Sequence, residues 1–132
     1  MKFNPGDVYN EVFVVADEVY HGFTQLFKDR NPLHVDHSFA REKGFDGVVM
    51  YGNILNGFLS FFIGESLPEK NVIIHSQEIQ YKNAVYLNDR LDFKAVVTGV
   101  YESVNAVEFK YEFRNSGSKV VAKGKFQIGI LP

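Results

Sequence analysis

Apolar residues recur at three- and four-residue spacing in the first half of the chain and alternate with polar ones in the second. Asn4-Pro5-Gly6-Asp7 reads as a turn. Val8 to Val15 (VYNEVFVV) predicts a short strand with Val12 and Val14 on one face. Asp17 then stands where an N-cap would open a helix from Glu18 to about Lys28, with Val19, Phe23, Leu26 and Phe27 as its apolar stripe. Ser38 is the expected cap of a short helix, Phe39 to Lys43, closed by Gly44. Gly47 to Gly64 is the most apolar stretch, and its length favours a helix over a strand. Leu55, Phe58, Leu59 and Phe62 cover most of that helix. Gly52, Asn56 and Ser60, spaced by four, form one narrow small-polar stripe, where something is expected to approach the backbone.

From Asn71 the period changes to two. Val72 to Tyr81, Leu91 to Tyr101, Val104 to Asn115 and Lys119 to Ile130 read as strands. The third alternates most clearly, with Val107, Phe109, Tyr111 and Phe113 opposite Glu108, Lys110, Glu112 and Arg114. Val120, Ala122, Phe126, Ile128 and Ile130 are the inward positions of the last. Three long strands in a meander have one dry face, and the apolar helix is its natural cover. The fold class is α+β, with helices early and an antiparallel sheet late.

The chain of 132 residues suits one domain, 1–132, large enough to bury a core. It has no cysteine, which removes disulfides, thiolate nucleophiles and Cys-based zinc sites. A net charge of −2 gives no bulk attraction to nucleic acid. No apolar run reaches the roughly 20 residues of a bilayer span, and the N-terminus lacks the apolar segment of a signal peptide. A soluble cytoplasmic protein is the expectation.

The chemistry concentrates in Asp29-Arg30-Asn31-Pro32-Leu33-His34-Val35-Asp36. Asn-Pro cannot lie inside a regular helix, because proline lacks an N–H and disfavours the α conformation before it. The chain must leave its helix near Lys28 and turn. Such a turn can aim Asp29 and His34 at one water molecule, one group taking a proton and the other giving or positioning one. His34-Val35-Asp36-His37 is too sparse for a metal site without a further convergent ligand, so no metal is expected. Lys28, Arg30, Arg41 and Lys82 read as scattered surface charges.

Asp-x-Asn-Pro-x-His at 29–34 resembles the signature of the MaoC-like dehydratases, the (R)-specific enoyl-CoA hydratases. Pro5-Gly6-Asp7, Phe39-Ala40-Arg41, Val49 to Ser60, Leu91 and the Leu-Pro tail extend the resemblance over nearly the whole chain. It implies a hotdog fold, an antiparallel sheet wrapped round a long central helix. It also implies hydration of trans-2-enoyl thioesters, or dehydration of (R)-3-hydroxyacyl thioesters, carried on coenzyme A or acyl-carrier protein. Asp29 and His34 would be the catalytic pair, Gly52 the oxyanion donor, and Ser60 an active-site serine that helps fix Asp29. Asn31 joins the positioning residues, and its side chain is expected to hold the turn. The resemblance implies a homodimer and no nucleotide, flavin or metal cofactor. Two positions depart from the pattern. Phe27-Lys28 stands where Ser-Gly is common, and Tyr51 stands where histidine precedes the glycine. Neither is expected to touch the proton-transfer groups. A thioesterase, or a non-catalytic acyl-thioester-binding subunit of a heteromeric dehydratase, are the competing readings.

Overall fold

The computed structural model describes residues 2–132. Strand β1 (Val8–Val14) leads into helix α1 (Asp17–Phe27), then two short helices, α2 (Pro32–Val35) and α3 (His37–Glu42). The central helix α4 (Gly52–Phe61) continues into a π-helical turn, Phe62–Ser66. Four strands follow: β2 (Val72–Tyr81), β3 (Arg90–Tyr101), β4 (Ala106–Arg114) and β5 (Val120–Ile130). They join β1 in one antiparallel sheet of order β1-β3-β4-β5-β2. The expected meander is its centre, and β1 and β2 are its edges.

The core lies between the sheet and α4. Val107, Phe109, Tyr111 and Phe113 are all buried, as their alternation requires. Phe93 and Phe126 meet Phe62 at the end of the helix, and with Phe109, Phe113 and Leu59 they are all essentially inaccessible to water. The rings of Phe62 and Phe93 lie 4.7 Å apart, and those of Phe109 and Phe126 stack at 4.6 Å. Burying each such side chain is worth roughly 1.5–3 kcal/mol, so the sheet–helix layer dominates stability. Among the described residues no helix is long and apolar enough to cross a membrane.

Several local expectations change. The central helix begins at Gly52, not Gly47. Its would-be first turn is drawn into long-range pairing instead, with Val49 N–H on the Leu33 carbonyl (3.0 Å) and Met50 N–H on that of Val85 (2.8 Å). Ala16, not Asp17, is the cap of α1, and no side chain caps it. Asp36, not Ser38, caps α3, its carboxylate accepting from the Phe39 N–H at 3.1 Å. Val19 and Phe23 pack against the core, but Leu26 and Phe27 of the same stripe stand 75% and 69% exposed. In β5, Val121 is buried alongside Ala122, because the register against β4 shifts between Phe113 and Arg114.

Candidate active site

The motif turn is built from its own side chains. Helix α1 ends where Lys28 enters the left-handed region (φ 61°), its N–H on the Thr24 carbonyl. That conformation is natural for glycine and costs a side-chain-bearing residue about 1 kcal/mol or more. No ion pair joins Lys28 to Asp29. The Asp29 carboxylate accepts from the Asn31 N–H at 3.0 Å. The Asn31 side chain in turn accepts from the Leu33 N–H at 3.0 Å and caps α2, with Pro32 at its first position. The expected turn is therefore a tight Asx bend running into one helical turn, and Asn31 holds it together.

His34 emerges from that helical turn half-buried. Its Nδ1 lies 2.7 Å from the Val49 carbonyl, which can only accept, so Nδ1 carries the proton. The neutral ring then has its lone pair on Nε2. His34 lines a cavity of about 470 Å³, shared with Val15, Tyr51, Gly52, Tyr81 and Lys82. Gly52 opens α4 there, so its N–H precedes the intrahelical ladder and faces no partner four residues back. The small-polar stripe does admit a neighbour, and that neighbour is β2. A Cβ on Gly52 would sit 2.9 Å from the Tyr81 ring. One turn on, Asn56 donates to the Tyr81 hydroxyl (3.5 Å) and accepts from Gln77 (3.0 Å).

Asp29 lies next door rather than in the same cavity. It lines an apolar groove of about 780 Å³ between α1 and α4, with Phe23, Leu26, Phe27, Ile54 and Phe58. Ile54 borders both spaces. Within one chain, then, the turn brings Asp29 and His34 to adjoining cavities, and no hydrogen bond links them. Ser60 is not brought to either. It is exposed near the far end of α4 and makes no side-chain hydrogen bond, so it does not fix Asp29 within the chain. The four-residue step from Gly52 drifts round the helix and carries Ser60 outward. Asp36 and His37 are engaged in structure: Asp36 caps α3, and His37 Nδ1 accepts from the Val48 N–H at 3.2 Å.

The main surprise is Tyr51. The expectation that this departure leaves the reacting groups untouched does not hold. Its ring lies 4.4 Å from the His34 imidazole and is backed by Phe23 at 4.6 Å. Its hydroxyl donates to the Asp29 carbonyl at 2.5 Å and lies 2.9 Å from the Thr24 hydroxyl. Tyr20 completes the arrangement by donating to the His34 carbonyl at 2.5 Å. Neither tyrosine has a sequence signal of its own, because each acts on a main-chain atom at least 14 residues away.

A family model described as "MaoC like domain" matches residues 10–116. The chain belongs to the MaoC-like family. The match contains both the turn and α4. An (R)-specific enoyl-CoA hydratase from Aeromonas caviae is 32% identical over 80 residues, 61% of this chain and 60% of that protein. A mitochondrial 3-hydroxyacyl-[acyl-carrier-protein] dehydratase from Arabidopsis thaliana is 27% identical over 130 residues, 96% of this chain and 76% of the other. The solved structure of the (R)-hydratase from A. caviae superposes with a TM-score of 0.88 at 22% identity, covering 98% of both chains. That likeness confirms the hotdog fold for this MaoC-like chain: a five-stranded antiparallel sheet on a central helix.

Proposed function

We propose that this MaoC-like chain is a hydro-lyase that adds water to trans-2-enoyl thioesters, or removes it from (R)-3-hydroxyacyl thioesters, carried on coenzyme A or acyl-carrier protein. The observation that carries the reading is the His34 tautomer. With Nδ1–H on the Val49 carbonyl, Nε2 is left to exchange a proton with a water in the cavity that Gly52 also lines. In this reading the water oxygen bonds to C3 while one of Asp29 and His34 takes its proton. Negative charge collects on the thioester oxygen and is met by the Gly52 N–H at the positive end of α4. Return of that proton to C2 completes the addition. Neutral Nε2 is an acceptor, which favours His34 as the group that takes the water proton and, as imidazolium, returns it to C2, while the Asp29 carboxylate positions the water.

Two copies are part of this proposal. Edge strand β2 presents Ile73, Ile74 and Tyr81 about half exposed, and Leu26 and Phe27 stand out beside Asp29. A second copy joined along β2 covers apolar surface that one chain leaves wet. No nucleotide, flavin or metal enters this reading, since the carrier's pantetheine is part of the substrate.

The test is loss of the enoyl-thioester absorbance with crotonyl-CoA. The wild type should consume it, while Asp29→Asn and His34→Ala should fall by about a thousandfold or more with the fold intact. Near-normal turnover in both variants would overturn the site assignment.

A further inference from the structure

We propose that Tyr20 and Tyr51 are positioning residues, two phenols that clamp the main chain at both ends of the Asp29–His34 turn and so set the separation of carboxylate and imidazole. The inference rests on the hydration reading above and goes beyond it by assigning a role to two side chains whose hydroxyls are bound to the main chain. Tyr51 donates to the carbonyl of Asp29 itself, and Tyr20 to the carbonyl of His34 itself. The two rings lie 5.9 Å apart and nearly parallel, so the two anchors form one body. The Tyr51 ring also covers the imidazole face.

The turn needs such an anchor. Residues 25–32 are all exposed, and the side-chain bonds of Asp29 and Asn31 stay within the turn. Tyr51, only 3% exposed, is instead fixed in the core. The Thr24 hydroxyl, itself bonded to the Tyr20 carbonyl at 3.0 Å, lies 2.9 Å from the Tyr51 hydroxyl and flanks it. A buried phenol requires a partner, but any carbonyl would satisfy it. Both phenols select the two residues whose side chains must act on one water. Burial, and after it the electrostatics of Tyr51, push the Tyr20 phenol up, so it remains a donor across the neutral range.

Tyr51→Phe and Tyr20→Phe remove each hydroxyl and keep each ring. Because a misplacement of about 1 Å can cost on the order of a hundredfold, each variant should lower kcat by about tenfold or more. KM for crotonyl-CoA should stay within about twofold, since neither hydroxyl binds substrate. The double variant should lose far less than the product of the two, because releasing either end frees the same turn. A residue needed only for packing would lower the melting temperature and leave kcat per folded molecule unchanged, and that result would overturn the clamp. Amide exchange separates this failure from failure of the hydratase reading. If the wild type does not hydrate crotonyl-CoA, the reading falls on its own. Faster exchange over residues 29–34 in Tyr51→Phe would still support the clamp, and unchanged exchange would overturn it.

Discussion

Tyr111 shows how one residue can be tied to its surroundings in a way its alternating pattern does not disclose. It is an inward-facing residue of β4, but its hydroxyl reaches past β5 to donate to the Glu78 carbonyl on β2 at 2.7 Å. Burial first, then the charges of Tyr81 and Glu78, push its phenol far up. Tyr9, Tyr20 and Tyr81 are raised too, each mainly by burial. The sign follows from proton counting. An unfolded tyrosine ionises near 10.0, the folded ones later, so above that point the unfolded chain has shed protons that the folded one keeps. Stability is therefore whole below the unfolded value and is lost as pH rises towards the folded values. The melting temperature should be flat from about pH 7 to 9 and fall above about pH 10, with a shallower fall in Tyr111→Phe. A melting temperature that holds to about pH 11 would contradict this. Residue identity was the legible part of the candidate site. Asp29, Asn31 and His34 stood out through the Asn-Pro break and Gly52 through the small-polar stripe, and the family resemblance supplied the roles proposed for them. Tyr51 looked like a mere substitution, because the Asp29 carbonyl it serves lies 22 residues away.

Among the elements, the seam between β5 and β2 is the most constrained. Gly124 lies between Tyr111 on β4 and Ile79 on β2. A Cβ there would come within 1.9 Å of the Glu78 carbonyl oxygen and 2.8 Å of the Tyr111 hydroxyl. The glycine is what lets the phenol pass. Gly124→Ala should cost about 3 kcal/mol or more, since backbone rather than a flexible side chain must give way. In thermal unfolding that is a drop of roughly 10 °C, and an unchanged melting temperature would refute the close approach. Strand positions and the meander were readable from period-two alternation. The start of α4 was not. Residues 47–51 are as apolar as the helix, and only their pairing with Leu33 and Val85 removes them from it. At α3 the cap was misplaced by two residues for a related reason: Asp36 and Ser38 both stand near the helix start, and the bond actually made depends on how the chain enters.

At the scale of the whole molecule, one chain leaves surface that a second copy should cover. Sedimentation of the purified protein should give twice the chain mass. Ile73→Lys with Ile74→Lys, placed on the β2 edge, should shift it towards monomer and lower turnover along with assembly. A wild type that sediments as a monomer while hydrating crotonyl-CoA would refute the dimer. The sequence by itself determined the α+β class, the order of the main helices and strands, the core face of β4, and the turn that breaks at Asn31-Pro32. All of these follow from local periodicity and backbone chemistry. Only the tertiary structure decided that β2 lies outside β5, that Asp29 and His34 open into adjoining cavities, that Ser60 faces outward and that two tyrosines hold the turn. Each of those depends on contacts between segments far apart in the chain, where side-chain reach and strand order, not local preference, set which atoms meet.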